Sequence, residues 1–225
     1  MTRRQRLSPE RSLQRRKPVR APRQRYLIAC EGKVTETHYF KYVKAALRDS
    51  MMTITIENSQ GNPLTLVKFA DSRRRSARTE ARRVRDDNLA YDSVWCVTDV
   101  DDHPKLPEAK VLAEKLGIGL AISNPCFELW ALLHLDDCRS HLTTDAAGNK
   151  LKTLMPFYAK LLDHTQIEGK YTIARTRAIA LSERHQQNGL AGDSNPSTDV
   201  YKLVDELIAE GTKIRHPGPL GTFGL

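Results

Sequence analysis

Three acidic residues stand at the ends of two short apolar runs, at a spacing that could hold a cation. Glu31 follows residues 26–30, and Asp99 and Asp101 end the run that begins at Val94. Side chains alternate along a strand, so Asp99 and Asp101 would point to the same side. Carboxylates gathered in one cleft repel each other unless a cation or a proton neutralises them. Hard divalent cations prefer oxygen ligands, so the pattern predicts a Mg²⁺ or Mn²⁺ site; a solvated acidic loop is the alternative.

The elements that position these acids follow from the apolar pattern. Both runs are typical of strands buried on two faces, and residues 52–57 and 118–122 indicate two more strands. Helices are expected between the strands, beginning at Thr35, Pro63 and about Glu108. This alternation predicts an α/β fold with a mainly parallel sheet and helices on both faces. Ligands of such sheets bind outside the carboxyl ends of the strands, where the three acids would meet.

A fourth acid, Glu128, is expected on the same rim. Asn124 and Pro125 have the residue types of a helix start, with Asn124 as the cap of an apolar helix over 126–135. Glu128 then falls one place past the capping-box position, so capping explains it poorly. It could be a further metal ligand, a catalytic base or a buried carboxylate bonded to the backbone. His134, in the same helix, is more typical of a hydrogen-bonded core histidine than of a metal ligand.

The second half of the chain has helical rather than strand patterns. A polar loop is expected over residues 143–150 and a break over 188–197. Helices are predicted over residues 151–163, 172–187 and 198–210, the last capped by Ser197. The predicted organisation is a disordered basic arm (1–25), an α/β domain (26–137), a helical part packed on it (138–212) and a loose tail (213–225).

The positive charge of the chain is concentrated in its first 25 residues. They hold ten Arg and Lys against one Glu, which accounts for the whole net charge of +9. A basic arm of this composition should be disordered when free and could contact phosphate backbones; a solubilising or targeting tail is the alternative. A second basic cluster lies in the predicted second helix, where solvated i,i+4 ion pairs are the simpler interpretation. The candidate nucleic-acid contacts are Arg15, Arg16 and Lys17 in the arm, Arg73, Arg74 and Arg75 in the helix, and Lys33 after the acidic turn.

Several classes of protein are not supported by the sequence. No apolar run approaches the roughly 20 residues of a membrane span, and no secretory signal is evident, so we expect a cytoplasmic protein without a membrane partner. The four cysteines form no Cys-x-x-Cys pair, which favours buried reduced thiols over a zinc site. The phosphate-binding glycine motifs and the Gly-x-Ser-x-Gly elbow are absent.

The sequence resembles the RloB family of bacterial proteins. The resemblance rests on Cys30-Glu31-Gly32-Lys33-Val34-Thr35-Glu36 with Tyr39-Phe40, on Asp99-Val100-Asp101-Asp102, on Ser123-Asn124-Pro125-Cys126-Phe127-Glu128-Leu129-Trp130 running to Leu132-Leu133-His134, and on Asn195-Pro196-Ser197-Thr198. The Glu-Gly and Asp-x-Asp elements are also similar to the Toprim domain, a Rossmann-like α/β fold of topoisomerases, primases and OLD-type nucleases.

This resemblance implies a metal-dependent nuclease acting on DNA or RNA, tRNA included. Toprim-like nucleases bind Mg²⁺ through the acids that match Glu31, Asp99 and Asp101. Glu128 would complete that cluster or act as base, and Glu36 would support it from the first helix. RloB-like proteins occur in anti-phage and restriction-associated loci, often beside an ATPase, and are regarded as nucleases of abortive-infection type.

Two other functions fit the same residues. The chain could be an inactive module that docks nucleic acid for a partner ATPase. It could also transfer nucleotides as primases do, although that activity needs a nucleotide pocket that the sequence does not show. An unrestrained nuclease would poison its host, so a partner or an oligomer is expected to restrain it.

Overall fold

A computed structural model describes residues 24–48, 50, 52–100, 105–191 and 194–213. A five-stranded sheet with the order β2-β1-β3-β4-β5 forms its centre. The strands are β1 (Gln24–Cys30), β2 (Met52–Asn58), β3 (Ser93–Asp99), β4 (Gly119–Asn124) and β5 (Ser197–Thr198). The first four strands are parallel, and only β5 pairs antiparallel, with β4. The predicted α/β fold with a mainly parallel sheet is confirmed.

Helices cover both faces of the sheet. In the described part of the chain they are α1 (Thr35–Ala46), α2 (Pro63–Val84), α3 (Leu106–Leu116), α4 (Glu128–Leu135), α5 (Thr144–Leu154), α6 (His164–Ile167), α7 (Tyr171–Gln187) and α8 (Val200–Lys213). Alternate residues of β1 divide between two cores: Ile28 belongs to the core that includes residues of α1, α4, α5, α7 and α8, whereas Leu27 belongs to the core that includes residues of α2 and α3. The apolar run of β1 is therefore buried on both faces, as its composition predicts.

Local sequence signals explain several element ends. Asn62 caps α2 by accepting a hydrogen bond from the Thr65 N–H at 3.0 Å, and Pro63 occupies the first helical position. Gly117 ends α3 in the left-handed conformation, with φ of 62°. Burial raises the pKa of the Cys96 thiol to about 12, and all four cysteines are buried and free. The expectation of buried reduced thiols is thus confirmed.

The predicted helix start at Asn124 is wrong. Asn124 is the last residue of β4, its bond to Pro125 is cis, and α4 begins only at Glu128. The predicted cap at Ser197 is also wrong, because Ser197 lies in β5 and pairs with Asn124. In both places, strand pairing at the sheet edge uses residues whose types favour helix caps.

The boundaries of the second half also differ from the prediction. Most of the expected loop over 143–150 is helix α5, which Thr143 caps by accepting from the Ala146 N–H at 3.2 Å. The helix expected over 151–163 stops at Leu154, and turns follow before the short α6. Strand β5 and the helices of this half complete the sheet and the larger core.

The two ends of the chain are only partly described. Gln24 and Arg25 belong to β1, so the arm expected over 1–25 is at least two residues shorter. The other predictions for the arm, and those for most of the tail, fall outside the described residues. None of the described helices combines the length and the apolar character that crossing a membrane requires.

Candidate functional site

Glu31 and Asp99 lie at the carboxyl ends of the neighbouring strands β1 and β3. The Glu31 N–H donates to the Val97 carbonyl at 3.0 Å, and the Glu31 carboxylate accepts a hydrogen bond from the Thr98 hydroxyl. Asp99 is the last residue of β3 and pairs with Ser123 of β4. The parallel register therefore brings two of the three predicted metal ligands to one edge of the sheet.

Asp101, the third predicted ligand, lies outside the described residues. Among the residues that the structure does describe, no group of three or more His, Cys, Asp and Glu side chains is arranged to hold a metal ion. A three-carboxylate site built on Glu31 and Asp99 would therefore need Asp101. The donor set consists only of carboxylates, which suits Mg²⁺ and Mn²⁺. The metal site stays a prediction.

Glu128 is a buried carboxylate in the first turn of α4. Its Oε1 accepts hydrogen bonds from the Tyr158 hydroxyl at 2.8 Å and from Lys160 Nζ at 2.5 Å. Burial raises the pKa of Glu128, but the hydrogen bonds from Lys160 and Tyr158 outweigh it and hold the pKa below its usual value. Both Glu128 and Asp99 raise the pKa of the nearby Cys126 thiol, after burial itself. Glu128 is thus an ionised group held by side chains of the second half.

Glu36 connects the acids of the two halves. It is buried in the first turn of α1, against Gly32, where an added Cβ would lie 2.0 Å from its Oε2. Burial is the main cause of its raised pKa, and the carboxylates of Glu128 and Glu31 raise it further. Its carboxyl group therefore interacts with both of them. We call Glu31, Glu36, Asp99 and Glu128 the acidic cluster; a bound cation would stabilise its negative charge.

Tyr158 and Lys160 are site residues that the sequence does not reveal. Both lie in the turns between α5 and α6, where a continuous helix was predicted, and Lys160 has a left-handed backbone with φ of 67°. Thr35 Oγ1 lies 3.2 Å from both the Tyr158 hydroxyl and the Lys160 carbonyl oxygen. These contacts tie the turn segment to the start of α1, beside the acidic cluster. In the sequence, the only local feature that could point to Lys160 is the absence of acids from residues 151–162, which leaves this lysine without an acidic partner within that segment.

A small cavity adjoins the acidic edge. It has a volume of about 290 Å³ and is lined by Val100, which separates Asp99 from Asp101 in the sequence. The other lining residues are mostly polar: Asn124, Pro125, His141, Leu142, Thr143, Thr144 and Asn195. Several of these groups can form hydrogen bonds to a sugar or a phosphate that approaches this edge of the sheet.

The basic residues predicted to contact nucleic acid have different surroundings. Lys33 is exposed in the segment between Glu31 and α1, next to the cluster. The three arginines of residues 73–75 all form ion pairs: the first with Glu57 of β2 at 2.6 Å, the other two with Asp71 of α2 at 2.7 and 2.5 Å. The two pairs with Asp71 agree with the simpler interpretation of a helix with internal ion pairs, whereas the first arginine joins α2 to β2. Arg15, Arg16 and Lys17 lie outside the described residues, so their role stays a prediction.

His134 belongs to the core rather than to the cluster. Its Nδ1 lies 2.9 Å from the Trp130 carbonyl oxygen, which requires a proton on that nitrogen. Burial lowers the pKa of His134 to about 4. The histidine is neutral at neutral pH and is hydrogen-bonded, as expected for a core residue.

The fold and the site define an α/β protein with a carboxylate cluster at the carboxyl edge of a mainly parallel sheet. The chain belongs to the RloB-like protein family, which matches residues 26–207. The matched region runs from β1 into α8 and includes Glu31, Asp99, Asp101, Glu128 and Lys160. Comparisons with curated proteins and with solved structures give no match.

Proposed function

We propose that this protein is a Mg²⁺- or Mn²⁺-dependent nuclease that hydrolyses phosphodiester bonds in DNA or RNA. The observation that carries the proposal is that Glu31 and Asp99 lie at the carboxyl ends of the neighbouring strands β1 and β3, beside the buried carboxyl groups of Glu36 and Glu128. Carboxylates gathered at one edge of a sheet repel each other unless a cation or a proton neutralises them. The resemblance to Toprim-like nucleases gives the same acids the same role, and a role in cytoplasmic anti-phage defence follows from it.

In this proposal Glu31, Asp99 and Asp101 hold the metal. When bound, the metal would polarise the phosphate and lower the pKa of an attacking water. The Lys160 side chain is 62% exposed although its ammonium group pairs with Glu128. It can therefore also bind a phosphate oxygen that enters the site. The lowered pKa of Glu128 makes it a weak base, so its proposed role is to position Lys160.

The second candidate function is a module that binds nucleic acid without cutting it. One observation favours it: the exposed Lys33 and the 62% exposed Lys160 can bind phosphates without a metal. Such a module would present nucleic acid to a partner ATPase. In either case a partner or an oligomer would restrain the protein in the cell.

A cleavage assay distinguishes the two functions. The purified full-length chain is incubated with plasmid, single-stranded DNA and total tRNA, in Mg²⁺, Mn²⁺ or EDTA. We expect cleavage of at least one substrate that needs the metal and is lost in Glu31→Gln and Asp99→Asn. The matched control is Glu183→Gln on the exposed side of α7, which should cut as the wild type does. Binding without cleavage by the wild type, with the partner ATPase of its locus present, would favour the binding module.

A further inference from the structure

A tight turn between α5 and α6 projects one aromatic side chain into solvent. The Tyr158 N–H donates to the Met155 carbonyl at 2.8 Å, which closes a four-residue turn. Pro156 occupies the second position of this turn, where proline restricts the backbone. The residues on either side, Met155 and Tyr158, are buried, but Phe157 at the tip is 97% exposed. Phe157 is thus held outward by a turn that is fixed at both ends.

Phe157 is part of a larger exposed apolar surface. We call this surface the Phe157 face; it consists of the exposed residues Val34, Leu154, Phe157 and Leu161. The hydrogen bonds of Thr35 to Tyr158 and Lys160 bring the segment that contains Val34 beside the turn. Isolated exposed apolar residues are common on proteins, but several of them in neighbouring segments, with a 97% exposed aromatic ring, are typical of a binding surface.

The charge of the Phe157 face selects its ligand. Residues 151–162 contain two lysines and no acid, and Lys33 adds a further exposed lysine beside Val34. An exposed ring among lysines suits a ligand that combines a planar apolar surface with negative charge. Nucleic acid has both, because each base offers a π face and each phosphate a charge.

The Phe157 face is joined directly to the acidic cluster. The neighbour of Phe157, Tyr158, donates its hydroxyl hydrogen bond to Glu128, and Lys160 pairs with the same carboxylate. Phe157 and Lys160 lie in the same short turn segment, so the backbone of a base stacked on Phe157 could reach the exposed lysine side chain. Bases in a duplex are covered by their neighbours, so only an unpaired base can offer its face in this way.

We propose that Phe157 stacks on an unpaired nucleobase, so that the site takes single-stranded DNA or RNA, or a loop, rather than a continuous duplex. The inference rests on the proposed function for its biological meaning, since it names the substrate class of that site. Its test depends only on binding. The turn fixes the backbone of Phe157 before the ligand arrives, and the side chain has only two rotatable bonds, so little conformational entropy is lost on stacking.

The test is a fluorescence anisotropy titration of the full-length protein in EDTA. The probes are labelled oligonucleotides of about 12 nucleotides, as single-stranded DNA, single-stranded RNA and a blunt duplex. We expect Phe157→Ala to weaken binding of the single strands roughly 5- to 100-fold. Duplex binding should not change. Phe157→Tyr, which keeps the ring, should bind single strands as the wild type does.

Two controls separate stacking from other effects. Val111→Ala removes an equally apolar exposed side chain from α3 and should leave every affinity unchanged. A fully abasic strand of the same length keeps the phosphates but has no bases, so Phe157→Ala should not weaken its binding. A larger effect of Phe157→Ala on DNA than on RNA, or the reverse, identifies the preferred nucleic acid.

Equal affinity of wild type and Phe157→Ala for single strands would overturn the proposal, as would failure of the wild type to bind any single strand. The Phe157 face would then be assigned to a protein partner. The result is independent of cleavage: if single strands bind through Phe157 but are never cut, the nuclease proposal fails and the stacking proposal stands. If cleavage occurs but neither binding nor cleavage depends on Phe157, the nuclease proposal stands and the stacking proposal fails.

Discussion

Replacing Lys160 by methionine should destabilise the protein in a way that depends on pH. The side chain of Glu128 is 5% exposed, and Lys160 is its only cationic partner in the described part of the chain. Methionine keeps much of the aliphatic stem of Lys160 but removes its charge. The variant therefore leaves a buried carboxylate with the Tyr158 hydroxyl at 2.8 Å as its main remaining donor.

The size of this effect follows from the burial of the two partners. Removing one partner of a fully buried ion pair destabilises a protein by about 3–5 kcal/mol. Here the lysine side chain is 62% exposed, so water already screens the pair and can hydrate part of the carboxylate in the variant. We expect the free energy of unfolding to fall by about 1–3 kcal/mol at neutral pH.

The direction of the pH dependence can be worked out from the pKa of Glu128. In the wild type this pKa is lowered, so the ion pair stabilises the fold above the pKa of the unfolded chain and loses this effect as pH falls through the folded pKa. In Lys160→Met, burial dominates and the pKa should rise above its usual value. The loss of stability caused by the unpaired carboxylate is then complete at neutral pH, and it decreases as the Glu128 carboxyl group takes up a proton. The stability difference between the two proteins should therefore shrink as pH falls.

Urea unfolding of both proteins, at steps between about pH 7 and about pH 4, measures this difference. Lys152→Met, an exposed lysine of α5, is the matched control and should change stability by less than about 0.5 kcal/mol. Glu128→Gln should remove most of the pH dependence, since amides do not titrate. A stability difference that stays constant with pH, or an equal loss in the Glu128→Gln background, would refute the assigned ion pair.

Three further predictions concern other parts of the molecule. Burial lowers the pKa of His134 to about 4. The wild type should therefore lose about 2–3 kcal/mol of stability as pH falls from about 6.5 to about 4. His134→Gln should reduce this loss in urea unfolding measured over the same pH range. Gly32→Ala should displace the Glu36 carboxylate, which lies 2.0 Å from the new Cβ, and should lower the cleavage rate at least tenfold. The control is Gly148→Ala in α5, where the new Cβ meets open space. It should keep activity and raise stability by about 0.5–1 kcal/mol in thermal unfolding. Deleting residues 1–23, which leaves β1 intact, should weaken binding to all nucleic-acid sequences alike. The slope of log affinity against log salt concentration should become shallower, by about 0.9 for each lost phosphate contact on duplex DNA. An unchanged slope would exclude the arm as a phosphate contact.

The sheet and its acidic edge were predictable because their signals are local. The apolar run before Glu31 and the run before Asp99 each end in acid, and strands buried on both faces require such runs. The start of α2 was also predictable, since Asn62 and Pro63 have the residue types of a cap and a first position. The signals for these elements lie within their own segments, although the strands pair with segments that are distant in the sequence.

The parts that were missed depend on contacts between distant segments. Lys160 reaches Glu128 across 32 positions of the sequence, from a turn whose apolar residues are spaced as in a helix. The polar first turns of α5 predict a loop, but Ala147 and Leu151 share a buried face that forms only against the rest of the core. Strand β5 has two residues, too few for any periodic pattern, and forms only because the edge of β4 is available for pairing.

The most direct test of a metal-binding carboxylate cluster is calorimetric titration of Mn²⁺ into the full-length protein. We expect saturable binding by the wild type and by Glu183→Gln, and loss of that binding in Asp99→Asn and in Asp101→Asn, with circular dichroism showing that both variants are folded. Loss in Asp101→Asn would also assign the third ligand. Undiminished Mn²⁺ binding after substitution of Glu31, Asp99 and Asp101 together would contradict the proposed site.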